Sequence, residues 1–441
     1  MDYKAYNATT FAETAVAKGL PRATLQDLLV VSKILPFRVN NYVIEKLIDW
    51  QHAPDDPLFR MLFPNRDMLS PADYAAAAEL HRKDALPPQH PLVRRIRSDM
   101  NPHPSGQLSH NRPSLAGETL KGIQHKYRET VLFFPNQGQT CHAYCAFCFR
   151  WAQFIGDEEL KIASRDRERL FQYLEQHEEV SDLLITGGDP LVMRTQLLRF
   201  YCEPLLAGRC PHIRSVRFGT KALAFWPYRF TTGADADALA QLLSELRGAG
   251  RNVAIMAHMS HPRELQTEEA TAAISRLQSL GVVIRSQAPL LRTVNDTSET
   301  WANMWRLQVA LGVVPYYMFV ERVTGAHRYF GLPLSRALTI FREAVTAVSG
   351  LARSVRGPVM STHQGKVELL GRVRVGDDEM FTLRFLQARD PALSYRPFFA
   401  RYDADAQWLD GLDPPTESRV FFQREGEQDG AHDQARQDMG V

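Results

Sequence analysis

Charge of one sign is missing from this 441-residue chain: 52 Lys and Arg face 50 Asp and Glu, a formal net charge of +2. So even a balance leaves no basic footprint for a nucleic-acid partner. Apolar runs of membrane-spanning length are missing as well, and the opening MDYKAYNATTFAET has neither the basic nor the apolar segment of a secretory leader. No membrane partner is expected, and the expected location is the cytoplasm. Cysteine is scarce: five residues, an odd number, three of them clustered. That is no disulfide framework, and it reads instead as metal ligation or redox chemistry. No repeat of 20–50 residues is present. What remains is ordinary globular composition, 44% hydrophobic and 23% charged, enough for one large domain with extensions or for two.

Residues 1–120 read as a helical N-terminal extension. LQDLLVVSKILPFRVNNYVIEKL carries apolar residues at helical spacing, and SPADYAAAAELHRK opens on a capping-type serine followed by helix formers. NPHPSGQLSHNRPS (101–114) is a connector. Over 121–375 the texture changes. Short β-branched or aromatic runs (ETVLFFP, SDLLITGG, IRSVRFGT, NVAIMAH, GVVIRSQAPLL, VPYYMFV, GPVMST) alternate with amphipathic helical stretches. Regular β–α alternation implies a parallel sheet with crossover helices, here an α/β fold of the TIM-barrel type, partial, with about six β/α units and its chemistry at the C-terminal strand ends. Residues 376–402 form a C-terminal extension, and the polar tail 403–441 is expected to be disordered.

The stretch TCHAYCAFCFR follows the first of these strands and spaces Cys141, Cys145 and Cys148 as C-x3-C-x2-C. Thiolates hold zinc or the irons of an iron–sulfur cluster. A structural zinc wants four protein ligands, for which His142 is the available fourth; Cys202 and Cys210 are distant and read as plain core thiols. Three thiolates on a [4Fe–4S] cluster leave one iron open, which the amino and carboxylate groups of S-adenosylmethionine (SAM) can fill. One β–α unit later, LLITGGDPL ends a buried strand in Gly187-Gly188-Asp189, where two glycines allow close backbone approach and Asp189 offers a carboxylate to an ammonium.

The cysteine spacing, with Phe147 at its aromatic position, resembles the radical-SAM signature. HKYRETVLFF, CHAYCAFCFR, LLITGGDPL, RFGTKALAFWPYRF, AHMSHPREL, IRSQAPLLRTVND and VPYYMFV together resemble the lysine 2,3-aminomutase family over about 120–330. The resemblance implies SAM and pyridoxal phosphate (PLP) sharing the barrel mouth, and an amino group moved from the α- to the β-carbon of an amino acid. It gives Phe147, Gly187, Gly188, Asp189, His258 and Gln287 to SAM, Arg150 to the substrate α-carboxylate, Lys366 to the PLP imine, and Lys126 with Arg128 to the PLP phosphate. A flavodoxin or ferredoxin would supply electrons. Homo-oligomers are compatible with it.

Departures from the family carry information. Where the lysine enzymes place an acid for the substrate's second ammonium, this chain has Arg322, as a glutamate-specific branch has a cation; Glu321 beside it could pair with it. An arginine for the PLP phosphate is replaced by Thr130, and GPVMSTHQGK is shorter than the family's loop before the imine lysine. No cysteine follows Cys210, so the late structural zinc of the lysine branch is not expected. The leading expectation is a PLP-dependent aminomutase acting on an anionic, glutamate-like amino acid. The alternative is a PLP-independent radical-SAM enzyme that abstracts hydrogen from another carboxylate-bearing substrate. A third reading is a non-catalytic zinc- or cluster-bearing scaffold that binds a protein through its N-terminal helices.

Overall fold

Eleven strands of one sheet organise the chain in the computed structural model, which describes residues 1–422. Seven of them are parallel: β2 (Thr130–Phe133), β3 (Asp182–Ile185), β4 (Ser215–Thr220), β5 (Asn252–His258), β6 (Val283–Leu290), β7 (Val314–Val320) and β8 (Arg356–Ser361). These are the seven apolar runs of the sequence. Helices Arg167–Glu175, Thr195–Leu206, Ala236–Gly248, Glu268–Ser279, Ser298–Ala310 and Leu334–Thr346 connect them, giving six strand–helix units before β8. The second of these helices buries Leu198, Tyr201, Cys202 and Leu205 at helical spacing and carries Pro204 in its last turn.

Side chains alternate along the parallel strands. On β6, Ile284, Ser286, Ala288 and Leu290 are buried, whereas Val283, Arg285, Gln287 and Pro289 on the other face are only partly covered. The buried rows meet the helices in the main core, built on Phe133, Phe218, Ile255, Trp301 and Trp305, and both Cys202 and Cys210 lie in it. The second row lines the concave face.

Antiparallel strands extend the sheet at both ends. β1 (Ile123–Tyr127) hairpins onto β2, while β9 (Gly365–Val375), β10 (Asp378–Ala388) and β11 (Pro397–Arg401) follow β8. Among the described residues the edge strands β1 and β11 are not hydrogen-bonded to each other, but the sheet curls far enough for its ends to touch. Lys126 on β1 donates to the Thr362 carbonyl beyond β8, and Arg389 after β10 donates to the His110 carbonyl (2.9 Å) and to Asn111 Oδ1 (2.6 Å). The sequence boundary between 375 and 376 falls inside the β9–β10 turn, so 365–401 is one antiparallel unit.

The N-terminal region is helical at Arg22–Val31, Pro57–Leu62, Pro71–Arg82 and Pro91–Asp99, with Ser70 capping the third of these through the Asp73 N–H (3.1 Å). Its apolar residues share one cluster with Ala143, Ala146, Phe147 and Trp151 of the cysteine loop. The disordered tail is corrected over 403–422. Trp408, Leu409, Leu412 and Phe421 are buried against β9–β11, and Phe421 stacks on Phe398 at 4.6 Å, because those four side chains cover an apolar sheet face that charge counting alone does not reveal. Residues 423–441 lie outside the described part. No described helix is long and apolar enough to cross a membrane.

Candidate active site

The loop after β2 carries the three cysteines, and the N-terminal region fastens it from above. Tyr144 N–H donates to the Arg38 carbonyl (2.8 Å) and Ala146 N–H to the Met61 carbonyl (2.9 Å). The His142 carbonyl accepts from Tyr3 Oη (3.0 Å) and Asn40 Nδ2 (3.1 Å). From below, Gly187-Gly188 holds the same loop. Gly187 has φ +148°, and a Cβ on it would meet the Gln139 amide at 2.3 Å; a Cβ on Gly188 would meet the Thr140 backbone at 2.5 Å. The two glycines therefore let the turn after β3 lie against the residues that enter the cysteine loop.

The three thiols are recessed, and none forms a disulfide. Burial raises all three, Cys141 well above the ordinary thiol range and Cys148 to about 11. A thiolate here needs a bound cation to hold it ionised, which is what a metal centre supplies. Among the described residues no three His, Cys, Asp or Glu side chains close around a single ion. His142, the candidate fourth zinc ligand, packs edge-to-face with Tyr3 (5.8 Å between centroids), and its Nδ1 is buried without a hydrogen-bond partner. The donor set is thus three soft, separated sulfurs, which suits a multi-iron cluster.

The Asp189 carboxylate is 1% exposed and accepts from Thr220 Oγ1 (2.7 Å to each oxygen), Lys221 N–H (2.9 Å) and Leu191 N–H (2.9 Å). It ties the β3 turn to the end of β4. Burial raises it to about 6.

Phe147, His258 and Gln287 do come together. Phe147 stacks on the His258 ring, 5.7 Å between centroids with planes 23° apart. His258 ends β5 and pairs in register with Gln287 of β6, which pairs with Tyr317 of β7. Sequence reasoning missed Lys221, whose Nζ lies 2.7 Å from Glu264, 3.2 Å from the His258 carbonyl and 3.3 Å from Ser260 Oγ.

A second cluster, of cations, lies beside the cysteine loop. The guanidinium carbons of Arg150 and Arg322 sit 4.8 Å and 4.3 Å from the Phe149 ring centroid. Arg150 has one hydrogen bond, to Gln107 Oε1 at 3.4 Å, and a further ring contact with Phe134 at 4.4 Å. Among the described residues the Arg322 guanidinium has no hydrogen bond or ion pair; Glu321 acts on it only through space, and Glu321 Oε1 is buried without a hydrogen-bond partner. Burial and mutual repulsion lower Arg150 to about 9, and burial lowers Arg322 to about 10.

Lys366 on β9 lies 5.1 Å from the Tyr127 ring and 5.0 Å from the Tyr317 ring, and donates to Gln387 Oε1 (2.8 Å). Burial first, then nearby arginines, lower it to about 7. Lys126 is pushed well below the ordinary lysine range by burial and by Arg322, Arg389 and Lys366. Arg128 is absent from this group: it occupies the exposed turn between β1 and β2. Thr130 donates to Asp182 (2.9 Å), which is paired with Arg217.

No family model matches the sequence. A protein of Aquifex aeolicus (strain VF5), provisionally named an L-lysine 2,3-aminomutase, is 30% identical over 392 residues, 89% of this chain and 91% of that protein. The L-lysine 2,3-aminomutase of Escherichia coli (strain K12) is 27% identical over 336 residues, 75% of this chain and 83% of its own. That of Bacillus subtilis (strain 168) is 29% identical over 234 residues, 53% of this chain and 46% of its own. Among solved structures, Streptococcus suis SuiB bound to precursor peptide SuiA aligns at TM-score 0.34 and 12% identity, over 61% of this chain and 50% of that one. Nine-tenths coverage in both directions at that identity, on the segments that carry the cysteines and the Gly-Gly-Asp turn, places this chain in the lysine 2,3-aminomutase family of radical-SAM enzymes.

Proposed function

We propose that the protein is a PLP-dependent 2,3-aminomutase whose substrate is an anionic α-amino acid, glutamate-like in charge. One observation carries this: among the described residues the cations around Phe149 and Tyr127 make no ion pair with a carboxylate. Arg150, Arg322, Lys126 and Lys366 lie beside the cysteine loop; burial lowers all four, and the Arg322 charge adds repulsion at Arg150, Lys126 and Lys366. Anions would relieve it; a substrate with a second ammonium would add to it.

Cys141, Cys145 and Cys148 would hold the cluster. With SAM bound, the cluster would supply one-electron chemistry for hydrogen abstraction. The neighbourhood of Phe147, His258, Gln287 and the Gly187-Gly188 turn is where SAM would lie. Arg150 grips the α-carboxylate and Arg322 the side-chain carboxylate, each with a planar fork of donors. Phe149 contacts both guanidiniums with its ring.

PLP would supply a π-system that spreads an unpaired electron, and the residues present fit it. Lys366 is a recessed amine that is largely neutral just above pH 7, the form a carbonyl requires. Lys126 and Arg389 offer positive charge for a phosphate where Thr130 offers none. A flavodoxin or ferredoxin is the proposed electron donor.

The test is anaerobic reconstitution with iron, sulfide and PLP, borohydride reduction, and peptide mapping. A pyridoxyl group on Lys366, followed by conversion of glutamate to its β-amino isomer, is the expected outcome. A cluster that cleaves SAM in protein carrying no pyridoxyl adduct would overturn it in favour of the PLP-free radical enzyme, which the Thr130–Asp182–Arg217 chain favours.

A further inference from the structure

Lys221 is the first residue beyond β4, and nothing about the reaction asks for a lysine there. Its backbone N–H holds Asp189 (2.9 Å), so its Cα is pinned to the Gly-Gly-Asp turn. Its side chain crosses to the next strand end. There the ammonium meets Glu264 at 2.7 Å, the His258 carbonyl at 3.2 Å, Ser260 Oγ at 3.3 Å and His258 Nδ1 at 3.5 Å, with the Phe225 ring 4.6 Å away. Glu264 is 0% exposed and is held in turn by the Ser260 N–H (2.6 Å) and the His261 N–H (3.3 Å).

An ammonium has three donors and no acceptor. The imidazole nitrogen facing it must therefore be the unprotonated one. At 3.5 Å the hydrogen bond is at the outer edge of the useful range, but the electrostatics are unambiguous: a proton on Nδ1 would point at a buried positive charge. The ring proton is left on Nε2, the nitrogen on the side away from Lys221. The Phe147 stack then fixes the plane of the ring. Two constraints, one from the end of β4 and one from the cysteine loop, thus decide how His258 presents itself.

We infer that Lys221 is a positioning residue that locks His258 as an Nε2–H hydrogen-bond donor toward the bound SAM, with Glu264 as the buried counter-charge that keeps the ammonium in place. This rests on the proposal that SAM occupies the pocket bordered by His258. Lys221 acts through His258 and does not itself touch the ligand.

A double-mutant cycle on SAM affinity tests it. Affinity is read from the change that SAM makes in the EPR spectrum of the reduced cluster, in reconstituted full-length protein. Lys221→Met should weaken SAM about tenfold, the size of an ordinary pairwise coupling. In the background of His258→Gln, whose amide can reproduce an Nε2 donor without tautomers, the same Lys221 change should cost less than about twofold. Lys221→Arg should restore the wild-type value. Should Lys221→Met leave Glu264 unpaired and the protein unfolded, Lys221→Met with Glu264→Gln removes both charges and carries the same expectation. Equal losses in both backgrounds, or no loss in either, overturn the inference. A wild-type spectrum that SAM does not perturb overturns the SAM pocket itself, a separate result.

Discussion

Lys221 and Glu264 meet at 2.7 Å with almost no solvent on either, and Asp189 beside them has both oxygens filled by protein donors. Arg150 and Arg322 share the Phe149 ring, and Arg150 adds the Phe134 ring and one long bond to Gln107. Charge is closed in the first region and open in the second. A closed, hydrogen-bonded ion pair keeps its geometry with or without ligand. An open set of like charges costs folding energy that only a bound anion returns. The two regions therefore divide the work: one holds the strand ends and His258 in a fixed arrangement, and the other is left short of negative charge for substrate and phosphate to supply.

The largest effect should come from the cysteines that border both regions. Cys145→Ala should lower iron content and SAM cleavage more than about a hundredfold, since loss of an outer-shell partner alone costs 10–100-fold. Next comes a pair of equivalent substitutions expected to move stability in opposite directions. Lys221→Met breaks a closed buried pair and should cost about 3–5 kcal/mol. Arg322→Met removes an unpaired recessed cation and should leave ligand-free protein about 1 kcal/mol more stable, while weakening binding of a dicarboxylate such as glutarate about a hundredfold. Thermal melting and calorimetric titration of both variants measure this. Equal destabilisation by the two would erase the distinction between the regions.

Much of this was legible in the sequence, and for stated reasons. The seven parallel strands are short β-branched runs punctuated by turns, and the C-x3-C-x2-C loop directly follows one of them. The antiparallel additions were not read. β9 and β10 alternate apolar and polar residues only in part, and the one clear signal was Gly376-Asp377 between two such runs, with Gly376 at φ +61°. The protein partners of Asp189 were not legible because Thr220 and Lys221 lie 31 and 32 residues away, where spacing says nothing. The packed tail was missed because composition reports charge, not where Trp408 and Phe421 fall on a sheet face.

The open region should also be sensitive to pH. Only the free amine of Lys366 reacts with a carbonyl, and its pKa is lowered to about 7. Imine formation with added PLP, followed by absorbance, should be near its limit above pH 8 and fall about tenfold per unit well below pH 7. Arg322→Met removes one of the neighbouring positive charges and should shift that midpoint upward, because the ammonium form is then less disfavoured.

The smallest effect should come from Arg128. Two residues after Lys126 it would share a face with it if the strand continued, and that periodicity is what put both in the phosphate site. β1 ends at Tyr127, and the turn carries Arg128 out to solvent instead. Its side chain has no partner to lose, so Arg128→Ala should change stability by less than about 0.5 kcal/mol and PLP affinity less than about twofold, against a loss of tenfold or more for Lys126→Ala. Titration of the reconstituted variants with PLP separates the two. An equal loss at both positions would mean that the hairpin turn folds over the cationic cluster when an anion arrives, and the boundary of the open region would have to be redrawn to include it.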